Sequence, residues 1–324
     1  LSVAVAVLVL DWAGASAARA EDAGVSVGTE VILKDLTTNL RVENQVVSVH
    51  NQFRRYKVEQ INGNWVWIVS GQVRGWVLKD EVVRADRAIE FYTDVIERHP
   101  RSSSTYNLRG ALWYAKKEYD IALADFSEAI QLNPKNFWAH NNRGNVYWLK
   151  RDYERALADY NEAIRINPRM AVTYNNRGNV WSAKHDYARA CADYEEAIRR
   201  DPSFALAHGN DAYLHATCPI PTMRDGKKAL EAAQRANEAT QWSDPNHLDA
   251  LAAAHAESGN YEEAVKWQKK AVAALPDHRR DKDRFVGRLK LYETNQPYRE
   301  LALASARTVS STPTDSQPTV GVIP

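Results

Sequence analysis

The chain has 324 residues, with 42 Lys and Arg against 41 Asp and Glu, 44% hydrophobic residues and two cysteines. That composition excludes fibrous, disordered and disulfide-scaffold classes and leaves room for two or three domains. A formal net charge of +1, with eight basic and eight acidic side chains balanced over residues 21–84, supplies no field to gather nucleic acid, so no nucleic acid is expected as partner and recognition rests on shape and hydrogen bonds. At the start, Leu1 to Leu10 is apolar apart from Ser2 and leads through small residues to Ala18-Arg19-Ala20. This is the pattern of a signal-peptide apolar region with its cleavage site, so residues 1–20 are read as a signal peptide and the mature chain is expected to be exported, periplasmic or extracellular. A ten-residue stretch ended by Asp11 is too short for a stable membrane span, which needs about 20. Without Met or a basic leader, the numbered chain reads as starting inside the gene product or at a miscalled start.

Between Thr29 and Val83 the apolar period is two. Val31-Ile32-Leu33, Val46-Val47, Tyr56-Lys57-Val58, Trp65 to Val69 and Gly75 to Leu78 predict five short strands, with Asn62-Gly63 as the hairpin signal. A small antiparallel barrel over residues 24–84 is the expected fold. The run Tyr56…Asn62-Gly63-Asn64-Trp65…Gly75-Trp76-Val77 resembles bacterial SH3-like domains. Trp65, Trp67 and Trp76 are the candidate surface of that barrel.

After Arg84 a repeat takes over. Pro100, Pro134, Pro168 and Pro202 stand 34 residues apart, as do Gly110, Gly144 and Gly178, and Tyr119, Tyr153 and Tyr187. Within each unit, two stretches with helical apolar spacing flank a short charged turn, which describes a helix-turn-helix solenoid. The series Tyr106, Gly110, Trp113, Ala122, Phe126, Ala129, Pro134 and its successors His140, Gly144, Tyr147, Ala156, Tyr160, Ala163, Pro168 and Tyr174, Gly178, Trp181, Ala190, Tyr194, Ala197, Pro202 resemble the tetratricopeptide repeat (TPR) family. In that pattern a small residue lets two helices approach, an aromatic fills the space beside it and Pro ends the second helix.

The predicted class is therefore α+β multidomain: a small all-β SH3-like barrel followed by an all-α TPR solenoid. The solenoid spans residues 86–278, with a half-repeat at 86–102, units from 103, 137, 171 and 205, an insertion near 218–224 where Cys218-Pro219-Ile220-Pro221 interrupts the pattern, and a unit at about 245–278 in which Gln268 replaces the usual aromatic. A capping helix is expected within 279–300 and a disordered tail over 301–324, rich in Ser, Thr and Pro.

No nucleotide-binding loop, nucleophile elbow, H-E-x-x-H pair or C-x-x-C cluster occurs, so the chain is expected to be no enzyme and to need no cofactor. His215 and Cys218, near Cys191, form an incomplete ligand set, and His215 falls on a repeat position that is normally core, so no metal is expected. Cys191 and Cys218 are instead a candidate disulfide, because adjacent helices bring their ends together. Arg109, Arg143 and Arg177 recur at 34 alongside Asp125, Asp159 and Asp193 and read as inter-helix staples.

Asparagine is the more telling series. Asn142, Asn176 and Asn210 recur in the sixth position and Asn145 and Asn179 in the ninth, while Leu108 and Ala111 break the series in the first unit. These positions face the concave groove in TPR arrays, and the series resembles the asparagine ladder in the repeat region of O-linked N-acetylglucosamine transferase. A carboxamide ladder pairs with the backbone of an extended peptide; the alternative is a solvated polar face. Tyr114, Trp138 and Trp148 are an aromatic wall for the same groove, or else packing between helices. The function expected is a non-catalytic adaptor that binds an extended protein or peptide segment in the groove. The alternative is a cell-wall or envelope sensor that grips a cell-wall peptide through the SH3-like domain.

Overall fold

The computed structural model describes residues 24–34, 39–42, 45–48, 55–70, 73–276, 279 and 281–300. The signal-peptide and tail readings, at 1–20 and 301–324, lie outside the described residues. Two units are distinguished, divided at Pro100 and Arg101.

In the first unit, alternation sends Tyr56, Val58, Val66, Ile68 and Val77 into one buried cluster with Val31, Leu33 and Leu40. Among the described residues seven strands result, β1 (Glu30–Leu33), β2 (Asn39–Val42), β3 (Gln45–Ser48), β4 (Tyr56–Asn62), β5 (Trp65–Ser70), β6 (Val73–Leu78) and β7 (Val82–Arg84), in the order β3-β2-β6-β5-β4-β1-β7. Every pairing is antiparallel. The five predicted strands are present, with β2 added between β3 and β6 and β7 added at the edge beside β1, to give a strand-rich half-barrel. The β4–β5 hairpin pairs Asn62 with Trp65, so its two-residue turn is Gly63-Asn64, with Gly63 at φ +57° where glycine carries no steric cost. Gly75 has a different reason: a Cβ there would meet the Leu40 Cβ at 2.7 Å, so glycine lets β2 lie close against β6. Helix α1 (Ala88–Arg98) follows, and its buried Tyr92 donates its hydroxyl to the Leu33 carbonyl at 3.3 Å.

Among its described residues the second unit is helical: α2 (Ser103–Ala115), α3 (Tyr119–Leu132), α4 (Phe137–Leu149), α5 (Tyr153–Ile166), α6 (Ala171–Ala183), α7 (Tyr187–Arg200), α8 (Ala205–Thr217), α9 (Gly226–Ala239), α10 (Pro245–Glu257), α11 (Tyr261–Ala274) and α12 (Lys282–Glu293). Consecutive helices pack as hairpins, and each hairpin packs on the next. Side chains of Ser102, Asn136, Asp152, Asp186, Asp225, Asp244 and Asn260 accept backbone N–H groups at helix starts, satisfying donors the helix leaves unpaired. The turns of the α2–α3, α4–α5, α6–α7 and α10–α11 hairpins carry a left-handed residue, Lys117, Arg151, His185 and Gly259 respectively. The insertion forms a short 3-10 turn at Pro221–Met223. No helix among the described residues is long and apolar enough to cross a membrane.

The repeated glycines have one steric cause. A Cβ on Gly110, Gly144 or Gly178 would meet the ring of Phe126, Tyr160 or Tyr194 at 2.9, 2.7 and 2.7 Å. At the far end, Gln268 stands where an aromatic was expected, and it donates to Asp249 Oδ1 at 2.7 Å and to the Phe285 carbonyl at 3.0 Å. Arg288 of α12 donates to the same Asp249 oxygen at 2.7 Å, with both residues buried. The cap is thus held by a buried ion pair as well as by Phe285 and Leu248 packing.

Candidate peptide-binding recess

The asparagine ladder is buried. Asn142, Asn145, Asn176 and Asn179 are each at most 2% exposed, so they do not line an open groove, and the expectation that they contact a peptide is corrected. Their carboxamides bond each other across the seams between repeats. Asn142 Nδ2 donates to Asn107 Oδ1 at 3.1 Å; Asn176 Nδ2 donates to Asn145 Oδ1 at 3.0 Å; Asn210 Nδ2 donates to Asn175 and Asn179 Oδ1 at 2.8 and 3.0 Å. Buried Tyr160 and Tyr194 donate their hydroxyls to Asn145 Oδ1 and Asn179 Oδ1 at 2.7 and 2.9 Å, and burial raises both phenols well above their ordinary value. The Nδ2 groups of Asn145 and Asn175 make no hydrogen bond. The signal for this role was in the sequence: where the ninth position is Ala111 rather than Asn, the aromatic is Phe126, which has no hydroxyl to satisfy.

Trp148 is corrected in the same way, since it is 1% exposed inside a cluster with Leu157, Tyr160 and Val180. Tyr114 and Trp138 are half-buried, beside Tyr119 and Phe137 respectively. The arginine staples close: Arg109, Arg143 and Arg177 each grip their aspartate with two nitrogens, at 2.6–2.9 Å. Burial lifts Asp193 while its arginine opposes the shift.

Of the predicted groove residues, Asn210 alone lines a recess of about 160 Å³ between α8, α10 and α12, to whose wall α7 also contributes. Tyr194 and Tyr213 supply its aromatic walls, and Arg284 and Arg288 its positive side. The chain's own residues 298–300 run into it. Glu300 N donates to the Thr217 carbonyl at 3.0 Å, the Arg299 guanidinium donates to the Ala216 carbonyl at 3.2 Å and pairs with Glu257, and the Tyr298 ring packs near Ala252 and Tyr292. Glu300 lines the cavity; burial raises its carboxyl, opposed by Arg284 and Arg288. Sequence reasoning missed this recess because its walls come from three repeats and from chain beyond the cap.

The candidate disulfide is also corrected: Cys191 and Cys218 are both free thiols. Cys218 is buried with Leu214, Tyr187 and Tyr194, whereas Cys191 Sγ turns to His215 Nε2 at 3.6 Å. Burial pushes the Cys191 thiol up to about 12. Asp211, one helical turn before His215, completes a group with Cys191 and His215 that Cys218 does not, so the reading of an incomplete ligand set with no metal had the wrong third member.

On the strand-rich unit, Trp65, Trp67 and Trp76 are half-buried on the face opposite Val66, Ile68 and Val77. Trp67 and Trp76 meet edge to face at 5.5 Å, and the Arg41 guanidinium lies 4.9 Å above the Trp65 ring.

Sequence profiles described as tetratricopeptide repeat match residues 137–170, 171–204 and 246–274, and one described as TPR repeat matches 110–150. No curated protein matches the chain. Among solved structures, PilW, described as a widely conserved type IV pilus biogenesis factor, aligns with a TM-score of 0.51 at 20% identity over 60% of this chain and 86% of its own. YrrB, described as a TPR protein with an unusual peptide-binding site, aligns at 0.45 and 21% identity over 59% of this chain and 95% of its own. A thermophilic TPR protein of Thermus thermophilus, TTC0263, aligns at 0.47 and 20% identity over 57% of this chain and 97% of its own. The likeness to PilW is one of fold.

Proposed function

We propose, from the premise that residues 110–204 and 246–274 are tetratricopeptide repeats, that this chain is a non-catalytic interaction adaptor whose recess between α8, α10 and α12 holds an extended protein segment bearing an acidic side chain. The observation that carries this reading is the seating of residues 298–300, where the Thr217 and Ala216 carbonyls of α8 accept from the Glu300 backbone N–H and the Arg299 guanidinium and a carboxylate lies toward Arg284 and Arg288. An extended ligand bound through main-chain groups and one charged pocket is an established recognition mode. The chain's own segment then occupies the place of a partner, which must displace it.

The test uses a labelled Asn295–Glu300 peptide as probe. A chain ending at Thr294 should bind it saturably, the intact chain should bind it at least about tenfold more weakly, and a peptide carrying Glu300→Ala should lose about tenfold on the shortened chain. Absence of binding to the shortened chain would reject the recess as a peptide site.

A second reading is favoured by the aromatic face of Trp65, Trp67 and Trp76 beneath Arg41, an SH3-like surface suited to a cell-wall peptide. The intact chain should then sediment with insoluble peptidoglycan and Trp67→Ala should release it; recovery wholly in the supernatant rejects this reading. Both fit an exported protein, a location proposed from residues 1–20 and checked by cell fractionation.

A further inference from the structure

Two helices present polar side chains one turn apart along the same seam. α7 carries Cys191 and Glu195, α8 carries Asp211 and His215, and an i, i+4 pair shares one helix face. Cys191 Sγ stands 3.6 Å from His215 Nε2, which stands 3.6 Å from Asp211 Oδ1, and the three ligand atoms all lie within 4.8 Å of one another. Around a tetrahedral zinc ion, bonds of about 2.3 Å to sulfur and about 2.05 Å to nitrogen or oxygen put sulfur and nitrogen about 3.6 Å apart and nitrogen and oxygen about 3.4 Å apart. The two separations that meet at His215 Nε2, both 3.6 Å, already hold that spacing to within a few tenths of an ångström, and the third is no more than 4.8 Å.

The bonding around the group points the same way. Asp211 is 7% exposed, and its Oδ1 makes no hydrogen bond, a costly state for a buried carboxylate oxygen. His215 Nδ1 lies 3.0 Å from the Met223 carbonyl. A carbonyl can only accept, so Nδ1 carries the proton, and in the neutral ring the lone pair of Nε2 faces Cys191 and Asp211. A backbone carbonyl behind the ring is the usual support of a metal-bound histidine. A cysteine nucleophile would need the carboxylate on the ring nitrogen opposite the thiol. Here both share Nε2, which suits convergence on one ion and not proton relay.

We infer that Cys191, Asp211 and His215 bind one divalent transition-metal ion of the zinc class, with Glu195 beside the fourth position. Glu195 is exposed, and its Oε1 lies 3.8 Å from Cys191 Sγ. A mixed sulfur, nitrogen and carboxylate set selects such a borderline ion over magnesium or calcium. The ion cross-links α7 to α8, the helix whose Asn210 and Tyr213 build the recess; the inference does not rest on what that recess binds. Lys228, whose positive charge acts on both Asp211 and Cys191, is the competing cation.

The experiment is titration of the chelator-stripped intact chain with Co2+ and then Zn2+. One equivalent of Co2+ should give the visible bands of a tetrahedral site and an ultraviolet thiolate-to-metal band, both erased by Zn2+. Cys191→Ser should remove the thiolate band, and Asp211→Asn and His215→Gln should each weaken binding at least about tenfold; Cys218→Ser should change nothing. Absence of saturable binding, a six-coordinate spectrum lacking the sulfur band, or loss of that band in Cys218→Ser would overturn the assignment. The spectrum of the unsubstituted chain decides the matter even if a variant fails to fold.

Discussion

A buried carboxamide must place two donors and an acceptor, and Asn176 does so by reaching back to the preceding repeat. Replacing it with Ala removes its Nδ2 bonds to Asn145 and Asn141 Oδ1, at 3.0 and 3.4 Å, and leaves a small void. Asn176→Ala should therefore cost about 1–3 kcal/mol in urea unfolding. A groove ligand would instead leave the melting curve unchanged. Protons act at this scale too. Burial holds His247 and His255 below the ordinary imidazole value of 6.5, so below that value the unfolded chain binds protons that the folded chain refuses. Their contribution to stability is complete above about pH 6.5 and is lost as pH falls through the depressed folded values. Thermal midpoints taken from about pH 7.5 to about pH 5 should decline, and less steeply in His247→Asn.

Helix hairpins are where the repeat pattern acts sterically. Gly144→Ala forces a methyl to within 2.7 Å of the Tyr160 ring and should cost about 1–3 kcal/mol by overpacking. Lys117 pays for a left-handed turn at φ 66°, which Gly259 adopts freely in the last unit; Lys117→Gly should be neutral or stabilising by up to about 1 kcal/mol, measured by the same unfolding midpoint. These elements were legible because a 34-residue period carries their spacing, capping and steric pairs together. β2 and β7 were not, since Asn39–Val42 and Val82–Arg84 are too short to show alternation without the neighbours they pair with. The asparagines were located correctly and given the wrong surroundings: position in a repeat says which face a residue takes, while its burial depends on how closely the next repeat approaches. The recess and the Cys191, Asp211, His215 group needed distances between residues far apart in the chain, which no local pattern encodes.

Over the whole solenoid, stability is built from neighbouring seams and closed by a cap. The cap is held by Arg288, whose partner Asp249 would be left buried without its cation; Gln268 alone would remain on that carboxylate. Arg288→Ala should thus destabilise the chain by about 3–5 kcal/mol, read by denaturant unfolding. Arg288 also lines the recess, so cap and recess wall share one side chain, and a ligand of the kind proposed for the recess should raise the same midpoint if it engages Arg288.

The inter-repeat asparagine bonds have a consequence for growth of the array. Unit 137–170 offers Asn141 and Asn145 to Asn176, and unit 171–204 offers Asn175 and Asn179 to Asn210, with the same atoms in the same register. Plug and socket are therefore interchangeable between these two seams. A duplicate of residues 171–204 spliced in after position 204 would meet a matching acceptor pair on one side and present one on the other, so the gene can lengthen this solenoid by copying a single module without inventing a new joint.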